Sequence, residues 1–232
     1  YNGKDLAKVC SPWVGVVTHL EGMRSPPQNL LAVDRVRWQG EPVVAVVAQT
    51  RALAEDAIEL IEVKYKELPL AVDMKTALDD DTEVIHKEYE NNLCWERNVN
   101  AGDVDAAFAE ADVIVEEEFQ FGRHTGVTLE SRSIVADYDP GEEMLTLYQS
   151  TQAPHMKQAL FAKHLELDEH KIRIICRDVG GAFGLKAHAY GDEFATAAIS
   201  KILGRPVKFV ADRMESFLAD IHARDHVVKG KI

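Results

Sequence analysis

Ser150-Thr151-Gln152-Ala153-Pro154-His155 and Asp178-Val179-Gly180-Gly181-Ala182-Phe183-Gly184-Leu185-Lys186 decide how this chain is read. Each stretch follows a strand-like alternation and breaks it. Met144 to Thr151 alternates apolar and polar residues, and Lys171 to Cys176 does so through Ile172 and Ile174, the pattern of a half-buried strand. The first strand runs into Gln152, whose amide both donates and accepts hydrogen bonds, and Pro154 then opens a helix. The second runs into a glycine cluster. Gly180, Gly181 and Gly184 can take positive φ and let backbone N–H groups approach an anion or oxo group, while Phe183 supplies an apolar wall. Two such loops at strand ends predict one polar, oxygen-binding pocket.

The same residues admit a plainer reading, a tight strand-to-helix turn with a capping Gln and a packing Phe. Nucleotide loops fail on spacing. There is no G-x-G-x-x-G, and a P-loop is missed because Leu185 stands where its second Gly belongs and Ala187 where Ser or Thr would bind magnesium.

Working outward, Ser133 to Tyr138 reads as a strand entering Asp139-Pro140-Gly141, where Pro fixes φ and Gly allows the reversal. An antiparallel hairpin with Met144 to Thr151 is expected, delivering Gln152 to the pocket. Gly191 to Leu203 places Phe194, Ala198, Ile199 and Ile202 on one side of a helix that stops at Gly204, with Pro206 beyond. Asp212 and Glu215 form a capping pair for the next helix.

Towards the N-terminus, Val43 to Ala48 suits a buried strand, Thr50 caps a helix through Leu60, and Ile61, Val63 and Tyr65 alternate as a second strand. Asp73 to about Asn100 lacks periodicity, carries Asp79-Asp80-Asp81 and Asn91-Asn92, and reads as a linker. The acidic run lacks the Gly and distal Glu of an EF-hand loop and is read as a solvated turn. Beyond it, Asp103 caps a short helix through Glu110, and Val113 to Phe121 alternates as a strand.

Composition bounds the class. With 232 residues, 46% hydrophobic and 28% charged, the chain suits one or two globular domains of α+β (mixed α/β) type. A net charge of −13 argues against nucleic acid as a partner, because phosphate would be repelled. Cys10, Cys94 and Cys176 are too far apart for a C-x-x-C site and are odd in number, so reduced thiols in the cytoplasm are expected. No apolar run approaches the roughly 18 residues of a membrane span.

The two loops and Leu203-Gly204-Arg205-Pro206-Val207-Lys208 resemble the large, molybdenum-binding subunit of the xanthine dehydrogenase, aldehyde oxidase and aerobic carbon monoxide dehydrogenase family. The resemblance extends through Arg35-Val36-Arg37-Trp38-Gln39-Gly40-Glu41-Pro42-Val43, Ala54-Glu55-Asp56-Ala57 and Val63-Lys64-Tyr65-Lys66-Glu67-Leu68-Pro69. Gly102-Asp103-Val104-Asp105-Ala106-Ala107-Phe108 and Leu129-Glu130-Ser131-Arg132 continue it. It implies a partial α/β hammerhead domain over residues 1–74, a linker over 75–100, and the first part of a molybdopterin-binding domain over 101–232. Subunits of this kind are several times longer, so the chain is expected to be a fragment, inactive alone, with an export signal left open.

The resemblance further implies hydroxylation or oxidation of an aldehyde, N-heterocycle or CO-like small molecule with water-derived oxygen. Molybdenum is held by a pterin dithiolene, as molybdopterin or its cytosine dinucleotide form, and by no protein side chain. Gln152 is implied to donate to an oxo ligand, and Gly180, Gly181, Ala182, Phe183 and Gly184 to line the cofactor, with loop N–H groups as donors. Phe183 and Ala187 would face substrate; Ala187 stands where purine-oxidising relatives carry Glu, and a methyl group cannot hydrogen-bond a purine. The pattern is thus closer to the carbon monoxide dehydrogenase-like branch. [2Fe–2S] clusters and FAD are expected on partner subunits or domains, the rest of the large subunit as a further partner, and the full complex as a dimer. The general base is expected beyond Ile232. A scaffold subunit that keeps the fold without the cofactor is the alternative.

Overall fold

The computed structural model describes residues 1–15 and 20–232. In chain order the elements are α1 (Gly3–Leu6), α2 (Arg51–Ile58), α3 (Val104–Glu110), β1 (Glu116–Phe121), β2 (Ser133–Asp139) and β3 (Met144–Gln149). There follow α4 (Pro154–Leu165), β4 (Ile172–Ile175), α5 (Gly191–Leu203), β5 (Val207–Val210), α6 (Arg213–Ala219) and β6 (His226–Lys231). The architecture is mixed α/β, as expected. Two compact units interleave along the chain. One contains Pro26–Leu68 and Gly126–Ile221 with the N-terminal segment, and the other contains Pro69–Thr125 and His222–Ile232.

The larger unit is built on a four-stranded sheet of order β4-β3-β2-β5. The hairpin read from Asp139-Pro140-Gly141 is present, with Ile134 opposite Gln149 and Asp139 opposite Met144. Asp139 Oδ1 accepts from the Gly141 N–H at 2.8 Å and fastens the turn. β3 then leads through α4 into β4, which lies parallel to it with Leu145 opposite Ile172 and Tyr148 opposite Ile175. A parallel neighbour requires such a crossover, since the chain must return to the same end of the sheet. The alternating residues Ile134, Ala136, Leu145, Leu147 and Ile172 form the buried face of the sheet.

Onto that face pack α4 and α5. Phe194 of α5 lies at the centre, its ring 4.7 Å from both Trp13 and Phe161, with His164 edge-on at 5.9 Å. Offset and tilted aromatic pairs of this kind add to the burial of apolar area. Gly191 opens α5 against Leu30, whose carbonyl oxygen would lie 2.4 Å from any added Cβ, so close backbone approach requires the glycine. Gly204 closes the helix at φ +58°, donating its N–H to Ser200 O at 2.9 Å. Asp212 and Glu215 cap α6 reciprocally, and Thr50 caps α2.

In the smaller unit β1 and β6 form an antiparallel pair from Glu116 opposite Lys231 to Phe121 opposite His226. Asp103 caps α3 through a 2.9 Å bond from the Ala106 N–H. The stretch 73–100 carries turns without helix or strand, and Asn92 ties it together by donating to Ala77 O and Glu83 O and accepting from the Ile85 N–H.

Three strand expectations change. Val43 to Ala48 forms only a single bridge, Val44 to Asn2, and Ile61, Val63 and Tyr65 are exposed without a strand assignment. Alternation prepares a segment for a sheet, but a strand exists only where a neighbour takes up its backbone hydrogen bonds in succession, and among the described residues of Val43 to Ala48 only Ala45 exchanges them across the bridge, with Tyr1 at 3.0 and 2.9 Å. β1 starts at Glu116 rather than Val113, and all six of its residues are exposed. The ladder with β6 runs from Glu116, and just before it Val115 exchanges two backbone hydrogen bonds with Ile232 at 2.9 and 3.0 Å.

Phe194→Ala is expected to destabilise the folded protein by about 3 to 5 kcal/mol, the cost of removing a buried aromatic ring that cannot be replaced by collapse of its neighbours. Chemical unfolding, monitored by circular dichroism, measures it.

Candidate functional site

Parallel pairing of β3 and β4 places their carboxyl ends at the same edge of the sheet, the position at which open α/β sheets bring loops together. The Ser150–His155 loop leaves one strand there and the Asp178–Lys186 loop follows the other. Gln152, Gly180, Gly181, Ala182, Phe183 and Gly184 therefore share one site, with Ala187 at its end.

The loops are stitched by specific bonds. Gln152 Oε1 accepts from the Gly184 N–H at 3.1 Å, and the Gln152 N–H reaches Lys186 O at 3.4 Å. An N–H donor can face only the oxygen end of an amide, so the first bond orients the side chain. Among the described residues none accepts from Nε2. Thr151 Oγ1 also donates to Lys186 O, at 2.9 Å, and Cys176 Sγ donates to Thr151 O at 3.0 Å.

The glycine loop has an unusual backbone. Gly181 and Gly184 lie at φ +96° and +90°, and Phe183, a residue with a Cβ, lies at φ +47°. The residue is 76% exposed. A left-handed aromatic residue presented to solvent is costly unless its surroundings enforce it. Beside it, a Cβ on Gly184 would meet nothing within 4 Å, so the loop surface is open there. Two loop N–H groups are occupied within the chain, that of Gly184 by Gln152 and that of Gly180 by Glu130 Oε2 at 2.8 Å. Among the described residues those of Gly181, Ala182 and Phe183 have no acceptor.

Beneath the loop lies a cluster that sequence reasoning missed. Lys186 is 0% exposed, and its ammonium donates to Glu130 Oε2 at 2.7 Å and to Ser150 Oγ at 2.9 Å. Ser150 Oγ donates in turn to Glu130 Oε2 at 2.6 Å. Burial pushes the Glu130 carboxyl up, but the Lys186 ammonium, the Ser150 hydroxyl and the Gly180 N–H outweigh it and hold its pKa below the usual carboxylate range. Glu130 and Lys186 stand 56 positions apart, so no local pattern links them. Only their place beside the two loops could have drawn attention. His124 bridges Ala223 and has Nδ1 3.4 Å from Gly122 O.

Two residues further on, Arg132 is buried and doubly paired. Its guanidinium binds Asp192 through two bonds of 2.5 and 2.7 Å, binds Asp220 at 2.5 Å and stacks on the Tyr190 ring with Cζ 3.8 Å from the centroid. Tyr190 donates to Leu185 O at 2.7 Å, which carries this support to the end of the glycine loop. Burial raises the pKa of the Tyr190 phenol, keeping it a donor. Among the described residues no cluster of three or more His, Cys, Asp or Glu side chains could hold a metal ion, and no helix is long and apolar enough to cross a membrane.

Comparison with known proteins identifies the family. The model of the molybdopterin cofactor-binding domain matches residues 85–232, and that of the aldehyde oxidase and xanthine dehydrogenase a/b hammerhead domain matches residues 3–69. The nicotine 6-hydroxylase large subunit of Paenarthrobacter nicotinovorans is 38% identical over 228 residues, covering 98% of this chain and 28% of that protein. The carbon monoxide dehydrogenase large chain of Afipia carboxidovorans is 36% identical, covering 86% of this chain and 26% of that protein. Among solved structures, quinoline 2-oxidoreductase from Pseudomonas putida 86 superposes with a TM-score of 0.92 at 33% identity, covering 99% of this chain and 29% of the other. The chain thus spans little more than a quarter of the length of these relatives.

The lowered pKa of Glu130 sets a pH dependence. The carboxylate contributes stability that is present above its ordinary unfolded value and is lost as pH falls through its lower folded value. Glu130→Gln is therefore expected to unfold more readily than the parent at neutral pH, with the difference closing in acid. Thermal melts across the acid range measure it; a gap that stays constant with pH would contradict it.

Proposed function

Because the chain belongs to the molybdenum-binding large-subunit family of the xanthine dehydrogenases, aldehyde oxidases and aerobic carbon monoxide dehydrogenases, we propose that it is the part of such a subunit that supports one side of the cofactor. The whole enzyme is an oxidoreductase acting on an aldehyde, an N-heterocycle or a CO-like small molecule. The observation that carries this reading is the orientation of Gln152, whose Oε1 is held by the Gly184 N–H so that Nε2 is left as a fixed, neutral donor. The exposed Phe183, the open surface over Gly184 and the unclaimed N–H groups of Gly181, Ala182 and Phe183 suit a bulky, oxygen-rich group.

When bound, the molybdenum–pterin group, as molybdopterin or its cytosine dinucleotide form, supplies the redox chemistry that moves a water-derived oxygen to carbon. The chain's own residues orient and enclose. Gln152 Nε2 would donate to an oxygen of the group without adding charge, the Gly181–Phe183 N–H groups would offer further donors, and Phe183 would keep water from one wall. Ala187 offers substrate a methyl group, which favours small or weakly polar molecules over purines. Residues 1–74, 75–100 and 101–232 are assigned to the hammerhead part, the connection and the start of the cofactor domain; the family matches at 3–69 and 85–232 support the first and last. Electrons leave through [2Fe–2S] and FAD on partner subunits or domains, in a dimeric cytoplasmic complex. Activity belongs to the full subunit, with the general base outside this chain.

Metal analysis of the longest native form is the test. Molybdenum near one per subunit is expected; a folded protein without it would make the chain a scaffold. In the molybdenum-loaded enzyme, Gln152→Ala is expected to lower turnover roughly ten- to a thousandfold, as for loss of one preorganised donor, with fold and metal content retained. Steady-state kinetics beside metal analysis measure it, and unchanged turnover would reduce Gln152 to a structural cap.

A further inference from the structure

Gln152 and the glycine loop are correctly placed only if something fixes the loop, and its own backbone works against that. Phe183 at φ +47° and two glycines with positive φ give a segment that favours other conformations when released. The restraint comes from one carboxylate oxygen. Glu130 Oε2 accepts from the Gly180 N–H at 2.8 Å, from Lys186 Nζ at 2.7 Å and from Ser150 Oγ at 2.6 Å. The Glu130 N–H meanwhile donates to Gly180 O at 3.1 Å, so both the N–H and the C=O of Gly180 are held by Glu130.

The fit tolerates no side chain at position 180, because a Cβ there would lie 2.5 Å from Glu130 Cβ. Lys186, at the far end of the loop, is held twice. Its ammonium is drawn to Glu130 and Ser150, and its carbonyl accepts from Thr151 Oγ1 and the Gln152 N–H. Glu130 thereby joins Gly180, near the start of the loop, to Lys186 at its end, and both to the Ser150–Gln152 turn. Gly184, lying between these anchors, orients the Gln152 amide through its N–H.

We propose that Glu130, acting through Lys186 and Ser150, is a positioning residue that fixes the Gly180–Gly184 loop and sets the direction in which Gln152 presents its donor. Its effect on turnover rests on the functional reading above, whereas its hold on the loop does not. A buried ammonium needs its counter-charge, so removing the carboxylate frees the loop and leaves Lys186 uncompensated, and both effects act at the same place.

Hydrogen exchange by mass spectrometry on the full-length complex, comparing the parent with Glu130→Ala and Ser150→Ala, tests this directly. Glu130→Ala is expected to speed exchange in the peptide covering 178–187 by on the order of tenfold or more, with peptides of the β2–β3 hairpin and α5 unchanged. Ser150→Ala, which removes one of the three donors, is expected to give a smaller increase in the same peptide. If Glu130→Ala exchanges faster throughout the unit, Ser150→Ala decides: an increase confined to 178–187 supports the proposal, and its absence overturns it. Unchanged exchange at 178–187 in a folded Glu130→Ala complex also overturns it. In molybdenum-loaded complexes kcat is expected to fall roughly ten- to a hundredfold, with KM altered far less. A complex that holds no molybdenum defeats the functional reading while the exchange comparison still decides the role of Glu130.

Discussion

Burial of charge within Glu130-Ser131-Arg132 is the constraint on which the site-bearing unit depends. Glu130 neutralises the buried Lys186 ammonium under the glycine loop, and Arg132 is neutralised by Asp192 at the start of α5 and by Asp220 after α6. Taking a guanidinium or ammonium out of water is unfavourable unless its partners are close and well directed. Here every such partner comes from a distant part of the chain, so the charges fix which segments must meet. Burial disfavours the charged form of Arg132, but Asp192, Glu193 and Asp220 outweigh it and raise its pKa further. A third buried pair, Lys157 with Glu193 at 2.8 and 2.9 Å, joins α4 to α5 by the same rule.

These contacts sit between an apolar core and a strained loop. Below, the Phe194 ring and its aromatic neighbours supply the gain from burial that holds helices on the sheet. Above, Phe183 and its flanking glycines adopt a backbone that propensity alone would not choose. Hydrogen bonds donated by Thr151 and Tyr190 and accepted by Gln152 and Glu130 pass the rigidity of the core upward into the loop. Strain of this sort persists only where the surroundings over-determine it, and it is concentrated here at the surface proposed to meet the cofactor.

The sequence by itself determined the local devices. Asp139-Pro140-Gly141 specifies a hairpin, Gly204 ends α5, Asp212 with Glu215 caps α6, and Asp103 caps α3, because each depends on side chains reaching backbone groups only a few residues away. The motif content also determined the family. Tertiary structure alone decided the rest: that β4 lies parallel to β3, which brings both loops to one edge, and that Glu130 pairs with Lys186, 56 positions away. It also decided that Val43 to Ala48 and Ile61 to Tyr65 are not sheet strands, although their alternation suits one. The physical reason is common to all three. A cap or turn is satisfied within its own segment, whereas a strand's hydrogen bonds and a buried charge's counter-ion must come from residues that only the folded chain brings near.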